Sequence, residues 1–245
     1  MGETTGISWT DHTFNPWWGC TRVSPGCVNC YAETFDKRIG GDHWGPGKPR
    51  RQFGEKHWNE PLRWDRKAKQ DGVLRKVFCA SMADVFDVEA PSGERERLWE
   101  LIRKTDNLIW QLLTKRVEGY ASLPADLMNS PKVWKGFTAE DQPRYDERWD
   151  FMRRLSGLTW WSYEPALSEV TMYKVWAKPA WVVFGGESGS HRRACEVAWA
   201  NRNRAECKAH GVPWFMKQMS ARTPDEGKTL IPAHLLIREF PSMSK

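Results

Sequence analysis

Three cysteines lie within eleven residues of this chain, in the segment NPWWGCTRVSPGCVNCYAE. Cys20, Cys27 and Cys30 have the spacing C-x6-C-x2-C, and the intervening Ser-Pro-Gly sequence favours a compact loop over a helix or strand. Three thiolates from one loop can bind three irons of a [4Fe–4S] cluster and leave the fourth iron open, or they can bind zinc with a ligand from elsewhere. Zinc requires a fourth ligand, and the chain has no second C-x2-C, so the candidates are Cys79, His12 and His43. Thiol chemistry without a bound metal is the remaining alternative.

Polar side chains also follow each of several short apolar runs. They are Ser81 and Asp84 after 77–80, Lys115 after 108–113, Glu164 after 158–162, Gly185, Gly186, Glu187 and Ser188 at and after 181–184, and Lys217 after 212–216. Lys115 can neutralise a carboxylate or phosphate, and Glu164 can carry a proton or accept a ribose hydroxyl. Lys217 is a candidate for the same reason, its position directly after an apolar run. Lys115, Glu164 and Lys217 are therefore the predicted catalytic residues. The Gly-Gly-Glu-Ser segment is predicted to bind a cofactor, because its amides can meet an anionic group while Glu187 receives an ammonium.

These residues need a scaffold, and the apolar runs alternate with amphipathic stretches in a βαβα rhythm. Strands are predicted over 77–80, 108–113, 133–137, 158–162, 181–184 and 212–216, and amphipathic segments over 94–104, 117–123, 143–155 and 197–210. We predict an α/β fold and a single domain over 1–245, with 221–245 as a hairpin or short extension. Barrels and doubly wound open sheets both collect their sites at the carboxyl ends of strands. Five or more strands here end in polar residues, rather than the two that flank one switch point of an open sheet, so we favour a full or partial β/α barrel.

Composition limits the class of protein. The 245 residues are 40% hydrophobic and 28% charged, and no apolar run approaches the ~20 residues of a membrane helix. The first ten residues have no basic and apolar leader pattern, so we expect a cytoplasmic protein. No G-x-S-x-G, Walker loop or H-E-x-x-H is present, which disfavours hydrolases and kinases.

The segment 37–76 is strongly basic. It holds twelve Lys and Arg against five Asp and Glu, a net charge of +7, whereas the rest of the chain is −1. Lys48, Arg50 and Arg51 are interleaved with tryptophans of the same segment, Trp44, Trp58 and Trp64. This mixture suits contact with phosphates together with base stacking. The alternative is a surface segment whose basic residues only face water. With sixteen tryptophans in the chain, we also expect some to line a concave site.

The cysteine segment, together with FCASMADVF, LLTKR, TAEDQ, SYEPAL, VVFGGESG and GVPWFMKQ, resembles a phage- and bacteria-borne family of unknown function that is similar to radical S-adenosylmethionine enzymes. The resemblance runs from about Ile7 to Met219. It implies a barrel of the radical S-adenosylmethionine type with a basic, Trp-rich insert after the cysteine loop. It also implies a [4Fe–4S] cluster on Cys20, Cys27 and Cys30, with S-adenosylmethionine on the open iron.

This chain departs from the radical-enzyme pattern in two ways. Six residues separate the first two cysteines where those enzymes have three, and Asn29 stands where those enzymes have an aromatic residue. The Gly-Gly-Glu that receives the methionine amino group usually follows the second strand, whereas here it comes late. Ser81 and Asp84, after the second predicted strand, therefore share with Glu187 the prediction of cofactor binding.

The resulting expectation is an enzyme that forms a 5′-deoxyadenosyl radical and acts on a nucleic acid or nucleotide, with DNA favoured. Isomerisation of an amino-acid-modified thymine in phage DNA and repair of a damaged pyrimidine are two specific versions. Such an enzyme needs a reducing electron donor, and it acts in the cytoplasm of a bacterium. The alternatives are a non-enzymatic nucleic-acid-binding protein with structural zinc, and an enzyme whose cluster only binds and orients its ligand.

Overall fold

A computed structural model describes residues 5–172 and 177–242 of the chain. The strands are β1 His12–Thr13, β2 Arg75–Cys79, β3 Leu108–Thr114, β4 Val133–Thr138, β5 Thr159–Tyr163, β6 Trp181–Gly185 and β7 Trp214–Gln218. The helices are α1 Tyr31–Arg38, α2 Glu55–Trp58, α3 Glu60–Asp71, α4 Glu94–Arg103, α5 Ala125–Met128, α6 Gln142–Met152, α7 Val197–Ala209 and α8 Pro224–Thr229. Short 3₁₀ helices cover Pro25–Cys27, Val117–Ser122 and Ala233–Leu235. The strand order in the sheet is the chain order, β1 to β7.

The chain divides into two compact units. The first comprises Met1–Val23 and Ala32–Lys135, and the second comprises Ser24–Tyr31 and Gly136–Lys245. The boundary falls within β4, and it also separates Cys20 in the first unit from Cys27 and Cys30 in the second.

In the first unit β1, β2 and β3 pair in parallel, with His12 opposite Val77 and Val77 opposite Trp110. β3 has the sequence LIWQLLT and is almost entirely buried, as a parallel strand covered on both faces requires. α3 begins with Pro61 in its first turn and ends at Gly72, whose φ of +67° is the left-handed conformation that favours glycine.

In the second unit β5, β6 and β7 are also parallel, and every residue of β5 and β6 is buried. α6 begins after Asp141, whose side chain caps the helix by accepting a hydrogen bond from the Arg144 amide at 3.0 Å. Residues after α8 pair with β7 in the antiparallel direction through a bridge between Phe215 and Arg238.

The predicted strands are all present to within a few residues, and the α/β class is confirmed. The amphipathic segment predicted over 117–123 contains the 3₁₀ helix Val117–Ser122, and the basic segment contains the twelve-residue helix α3. Within 221–242, the described part of the predicted hairpin or extension, the chain forms α8 and pairs with β7. Among the described residues, no helix is both long and apolar enough to span a bilayer.

Most of the tryptophans fill the interior, and the expectation that some of them line a concave site stays a prediction. All the described tryptophans except Trp199 are buried, including Trp44, Trp58 and Trp64 of the basic segment. Large aromatic side chains bury more apolar area than other residues, so they fill the interior of each unit. The tryptophans of the basic segment therefore support its packing and do not present stacking faces to a ligand.

Arg50 is likewise a packing residue and not a phosphate contact. Its guanidinium has no solvent exposure and donates to Asp87 Oδ2 at 2.7 Å and to Glu89 Oε2 at 2.7 Å. It also donates to the main-chain oxygens of His43, Gly45 and Lys48. Arg51, by contrast, is exposed and lies over the Trp18 ring at 4.6 Å.

Candidate functional site

The loop that carries Cys27 and Cys30 is held by a buried carboxylate that follows β4. The loop turns through the 3₁₀ helix Pro25–Cys27, and the Gly26 amide donates to Glu140 Oε1 at 2.9 Å. Glu140 is fully buried, and its other oxygen accepts from Arg148 Nη1 at 2.9 Å. A side chain at Gly26 would place its Cβ 3.0 Å from the Glu140 carboxyl group, so glycine allows this close approach.

A second carboxylate, which follows β6, holds the other end of the same loop. Asn29 Nδ2 donates to Glu187 Oε2 at 3.0 Å and to the His191 carbonyl at 2.7 Å. Arg193 donates to Glu187 Oε1 at 2.5 Å and to Oε2 at 3.0 Å, and its Nη1 donates to the Pro25 carbonyl at 3.0 Å. We call Asn29, Glu187 and Arg193 the Asn29 clamp.

The clamp keeps Glu187 ionised. Burial opposes ionisation of this carboxyl group, yet the hydrogen bonds from Arg193 and Asn29 outweigh burial and lower its pKa. Since several donors already meet its oxygens, the geometry assigns Glu187 to positioning the cysteine loop. Its predicted role as a cofactor ligand remains a prediction.

Cys20 lies in the first unit beside a guanidinium. Arg116 Nη1 donates to Cys20 Sγ at 3.5 Å, and Arg116 Nη2 donates to the Thr21 carbonyl at 2.8 Å. Burial and the neighbouring Asp84 raise the pKa of the Cys20 thiol to about 12, although Arg116 acts in the opposite direction. A metal that binds here therefore has to displace the thiol proton, and Arg116 is placed to stabilise the resulting charge.

Asp84 organises the segment that follows β2. Its oxygens accept from Thr114 Oγ1 at 2.7 Å, from the Lys115 amide at 3.0 Å and from the Phe86 amide at 2.9 Å. Arg116 Nη1 lies 3.1 Å from Asp84 Oδ2. The carboxylate is thus engaged in linking the ends of β2 and β3, and Lys115 reaches it through the main chain.

Ser81 takes part in a polar contact of the same unit. Its hydroxyl accepts from Asn15 Nδ2 at 3.0 Å. Asn15 Oδ1 in turn accepts from the Met82 amide at 2.7 Å, so these contacts join the residues after β1 to those after β2.

Two predicted catalytic residues meet in the second unit. Lys217 Nζ lies 2.6 Å from Glu164 Oε1, and Ser162 Oγ donates to Glu164 Oε2 at 3.3 Å. Glu164 follows β5 and Lys217 lies in β7, so the contact passes over β6 at Gly185. A Cβ at Gly185 would come within 2.6 Å of Glu164 Oε1, and glycine is therefore required for the pair to form as observed. The Lys217 side chain remains 25% exposed and the Glu164 side chain 12% exposed, which leaves the pair accessible to a ligand.

The other members of the Gly-Gly-Glu-Ser segment pack against the residues after β7. The Gly186 amide donates to the Gln218 carbonyl at 2.9 Å, and a Cβ at Gly186 would lie 2.3 Å from the Ser220 nitrogen. Ser188 forms a parallel bridge with Ala221. Close packing of the two main chains therefore explains why residue 186 is a glycine, without any need for a bound ligand.

Sequence reasoning placed the cysteines and strand-end residues but missed their partners. Glu140 and Arg193 were not among the predicted site residues, and Asn29 entered only as a departure from a pattern. Glu140 lies in the TAEDQ segment and Arg193 in the SGSHRR segment, whereas Asn29 lies between Cys27 and Cys30. Glu140 and Glu187 contact the cysteine loop across 114 and 158 positions of sequence, so no local pattern marks these contacts.

The cysteines are chemically available. None of the six cysteines, all of them described, forms a disulfide, and Cys20, Cys27 and Cys30 are each half-buried. Within residues 5–172 and 177–242, no three His, Cys, Asp or Glu side chains are grouped as a single metal ion requires. By donor type the three thiols suit an iron–sulfur cluster, which attaches each cysteine to a different iron, whereas zinc brings its ligands to one point.

The fold and these side chains define a mixed α/β protein with polar residues after its strands and a cysteine loop after its first strand. The chain belongs to the family described as "Protein of unknown function (DUF5131)", which matches residues 4–236. This confirms the expected membership of a family of unknown function. No curated protein and no solved structure matches the chain.

Proposed function

We propose that the protein is a radical S-adenosylmethionine-type enzyme whose [4Fe–4S] cluster is held by Cys20, Cys27 and Cys30. The observation that carries the proposal is the position of the cysteine loop in the chain and in the second unit. It lies between β1 and α1, and the residues that hold it, Glu140 and Glu187, follow β4 and β6. α/β proteins of this kind collect their active sites at the carboxyl ends of strands.

The protein's own residues prepare the thiols for such a cluster. Glu140 and the Asn29 clamp fix the backbone around Cys27 and Cys30, and Arg116 supplies a donor to Cys20 Sγ. Hydrogen bonds to the sulfurs are among the features that set the reduction potential of iron–sulfur clusters. When bound, a reduced cluster with S-adenosylmethionine supplies the 5′-deoxyadenosyl radical.

The Glu164–Lys217 pair is the proposed polar group for substrate or cofactor. Lys217 offers a positive charge to a carboxylate or phosphate, and Glu164 Oε1 can exchange a proton with Lys217 Nζ across 2.6 Å. Lys115, whose main chain is fixed by Asp84 in the first unit, is the other proposed catalytic cation. The proposed cofactor contacts are Ser81, Asp84 and the segment from Gly185 to Ser188.

The proposed substrate is a nucleic acid or a modified nucleobase, supported by the +7 charge of residues 37–76. Isomerisation of an amino-acid-modified thymine and pyrimidine repair are the two proposed reactions. A one-electron donor is a required partner.

The test is anaerobic purification, reconstitution with iron and sulfide, and electron paramagnetic resonance of the reduced protein with and without S-adenosylmethionine. We expect a [4Fe–4S] signal that shifts when the cofactor is added, and loss of that signal in Cys27→Ala but not in Cys195→Ala. Stoichiometric zinc with no iron or sulfide after anaerobic reconstitution would instead favour the zinc-containing nucleic-acid binder. A cluster whose signal does not respond to S-adenosylmethionine would refute the radical chemistry.

A further inference from the structure

Helix α3 carries three exposed cations on successive turns. Arg63, Arg66 and Lys69 are all solvent-exposed, and they are spaced three residues apart, which is about 4.5 Å along the helix axis. Like charges at this spacing repel one another, so the arrangement destabilises the helix in the absence of an anion.

The acidic residues of α3 do not neutralise these cations. Asp65 Oδ1 accepts from the Asn107 amide at 2.7 Å, Asp71 is paired with Arg75, and Glu60 lies 4.0 Å from His57. In the described part of the chain, the side chains of Arg63, Arg66 and Lys69 take part in no ion pair or hydrogen bond. Arginines elsewhere in the first unit, such as Arg50 and Arg103, are ion-paired.

The apolar side of α3 fixes the direction of the charged side. Pro61, Trp64 and Ala68 are buried, with Trp64 only 2% exposed, so the helix is anchored to its unit. No large hydrophobic side chain is exposed anywhere on α3 among the residues described. A helix that binds a lipid surface inserts exposed apolar side chains, and α3 has none to insert. The exposed side is therefore suited to a polyanion whose charges lie on its surface.

We propose that Arg63, Arg66 and Lys69 form a contact surface for the phosphate backbone of a nucleic acid. The backbone carries one negative charge per nucleotide, so three cations in a row along one side of a helix can each meet a different phosphate. Arginine can bind a phosphate through two parallel hydrogen bonds, and lysine adds a point charge. The contacts are made to the backbone, so the surface binds without regard to base sequence. This inference rests on the proposed function only for the class of substrate.

The experiment measures binding of the full, cluster-reconstituted protein to a fluorescent 20-base-pair DNA duplex over a series of salt concentrations. The variant is R63Q/R66Q/K69Q, and the control is K104Q/K208Q/R222Q, which removes three exposed cations elsewhere. Each lost phosphate contact lowers the slope of log affinity against log salt by about 0.9. We expect the α3 variant to bind DNA more weakly, with a slope of log affinity against log salt that is smaller in magnitude by about 2 to 3. We expect the control variant to retain the wild-type slope.

Several results would overturn the proposal. One is an equal loss in the control, which would show that only net charge matters. Others are an unchanged slope in the α3 variant, or no binding of duplex or single-stranded DNA or RNA by the wild type. Binding of the wild type to anionic phospholipid vesicles, but not to nucleic acid, would assign the surface to lipid instead. The cluster signal and its response to S-adenosylmethionine are measured on the same samples. Loss of DNA binding with an intact signal separates this surface from the cluster function.

Discussion

Replacement of Asn29 by alanine should loosen the cysteine loop in the metal-free protein. The change removes the donor to Glu187 and the donor to the His191 carbonyl, while the hydrogen bond from Gly26 to Glu140 remains. A hydrogen bond to a charged group stabilises a folded state by about 1.5 to 3 kcal/mol. Because about 1.4 kcal/mol corresponds to a factor of ten, opening of the loop should become about 10- to 150-fold more frequent.

Hydrogen–deuterium exchange of a peptide spanning 24–31 measures this opening. The Cys27 and Val28 amides donate to the Ser24 and Pro25 carbonyls, so they exchange only when the loop opens. Val28→Ala is the matched control, since Val28 is 54% exposed in the same loop and its side chain leaves the clamp unchanged. The reasoning fails if Asn29→Ala leaves the exchange rate unchanged, or if Val28→Ala accelerates exchange to the same extent.

The same assay has a pH dependence of predictable sign. The pKa of Glu187 is lowered in the folded protein, because the hydrogen bonds from Arg193 and Asn29 outweigh burial. The ionised carboxylate therefore stabilises the closed loop at every pH above 4.5, the ordinary pKa of a glutamate. That contribution is lost as the pH falls through the folded pKa. After correction for intrinsic exchange, the wild-type loop should lose protection below pH 4.5 and approach Asn29→Ala. A constant difference between the two proteins down to pH 2 would contradict the clamp.

Two further predictions concern packing. Arg50→Met should lower the free energy of unfolding by about 3 to 5 kcal/mol, because it removes the 2.7 Å partner of the buried Asp87 carboxylate and leaves the longer ion pair with Arg116 at 3.5 Å, whereas Arg51→Gln should cost less than about 1 kcal/mol. Denaturant titration measures both, and equal effects would mean that Arg50 is not a buried anchor. Gly186→Ala should cost about 1 to 3 kcal/mol because its Cβ meets the Ser220 main chain, whereas Gly185→Ala displaces only one flexible carboxylate and should cost less than about 1 kcal/mol. Thermal unfolding of the two variants distinguishes them, and the reverse order of stability would refute the assignment.

The strands were predictable from sequence because their signal is local. WVVFG and LIWQLL are continuous apolar runs, and a strand buried on both faces needs that composition. β1 has two residues, too few for any pattern, and was not predicted. α3 was not predicted, because Gly and Pro residues just before it disfavour a helix. Pro61, Trp64 and Ala68 nevertheless have the spacing of the buried side of a helix.

The site was only half predictable. The cysteines and the strand-end residues Glu164 and Lys217 follow from residue type and position, but their partners depend on tertiary folding. Asn29 and Glu187 are 158 positions apart, and nothing in either neighbourhood marks the other. Arg50 illustrates the same limit, because a basic residue among aromatic residues suggests nucleic acid until Asp87 and Glu89 are brought to it.

The pairing of the last described residues with β7 bears on how the protein can be handled. The Met216 amide donates to the Ile237 carbonyl, and the Glu239 amide donates to the Trp214 carbonyl, so this segment occupies the hydrogen-bonding edge of the last strand. An uncovered edge of a buried-type strand is a template for addition of a strand from another molecule. A truncation before Ile237 therefore exposes WFMKQ, a segment rich in aromatic residues, and should make the protein prone to self-association. An affinity tag added after this segment needs a linker that leaves the pairing intact.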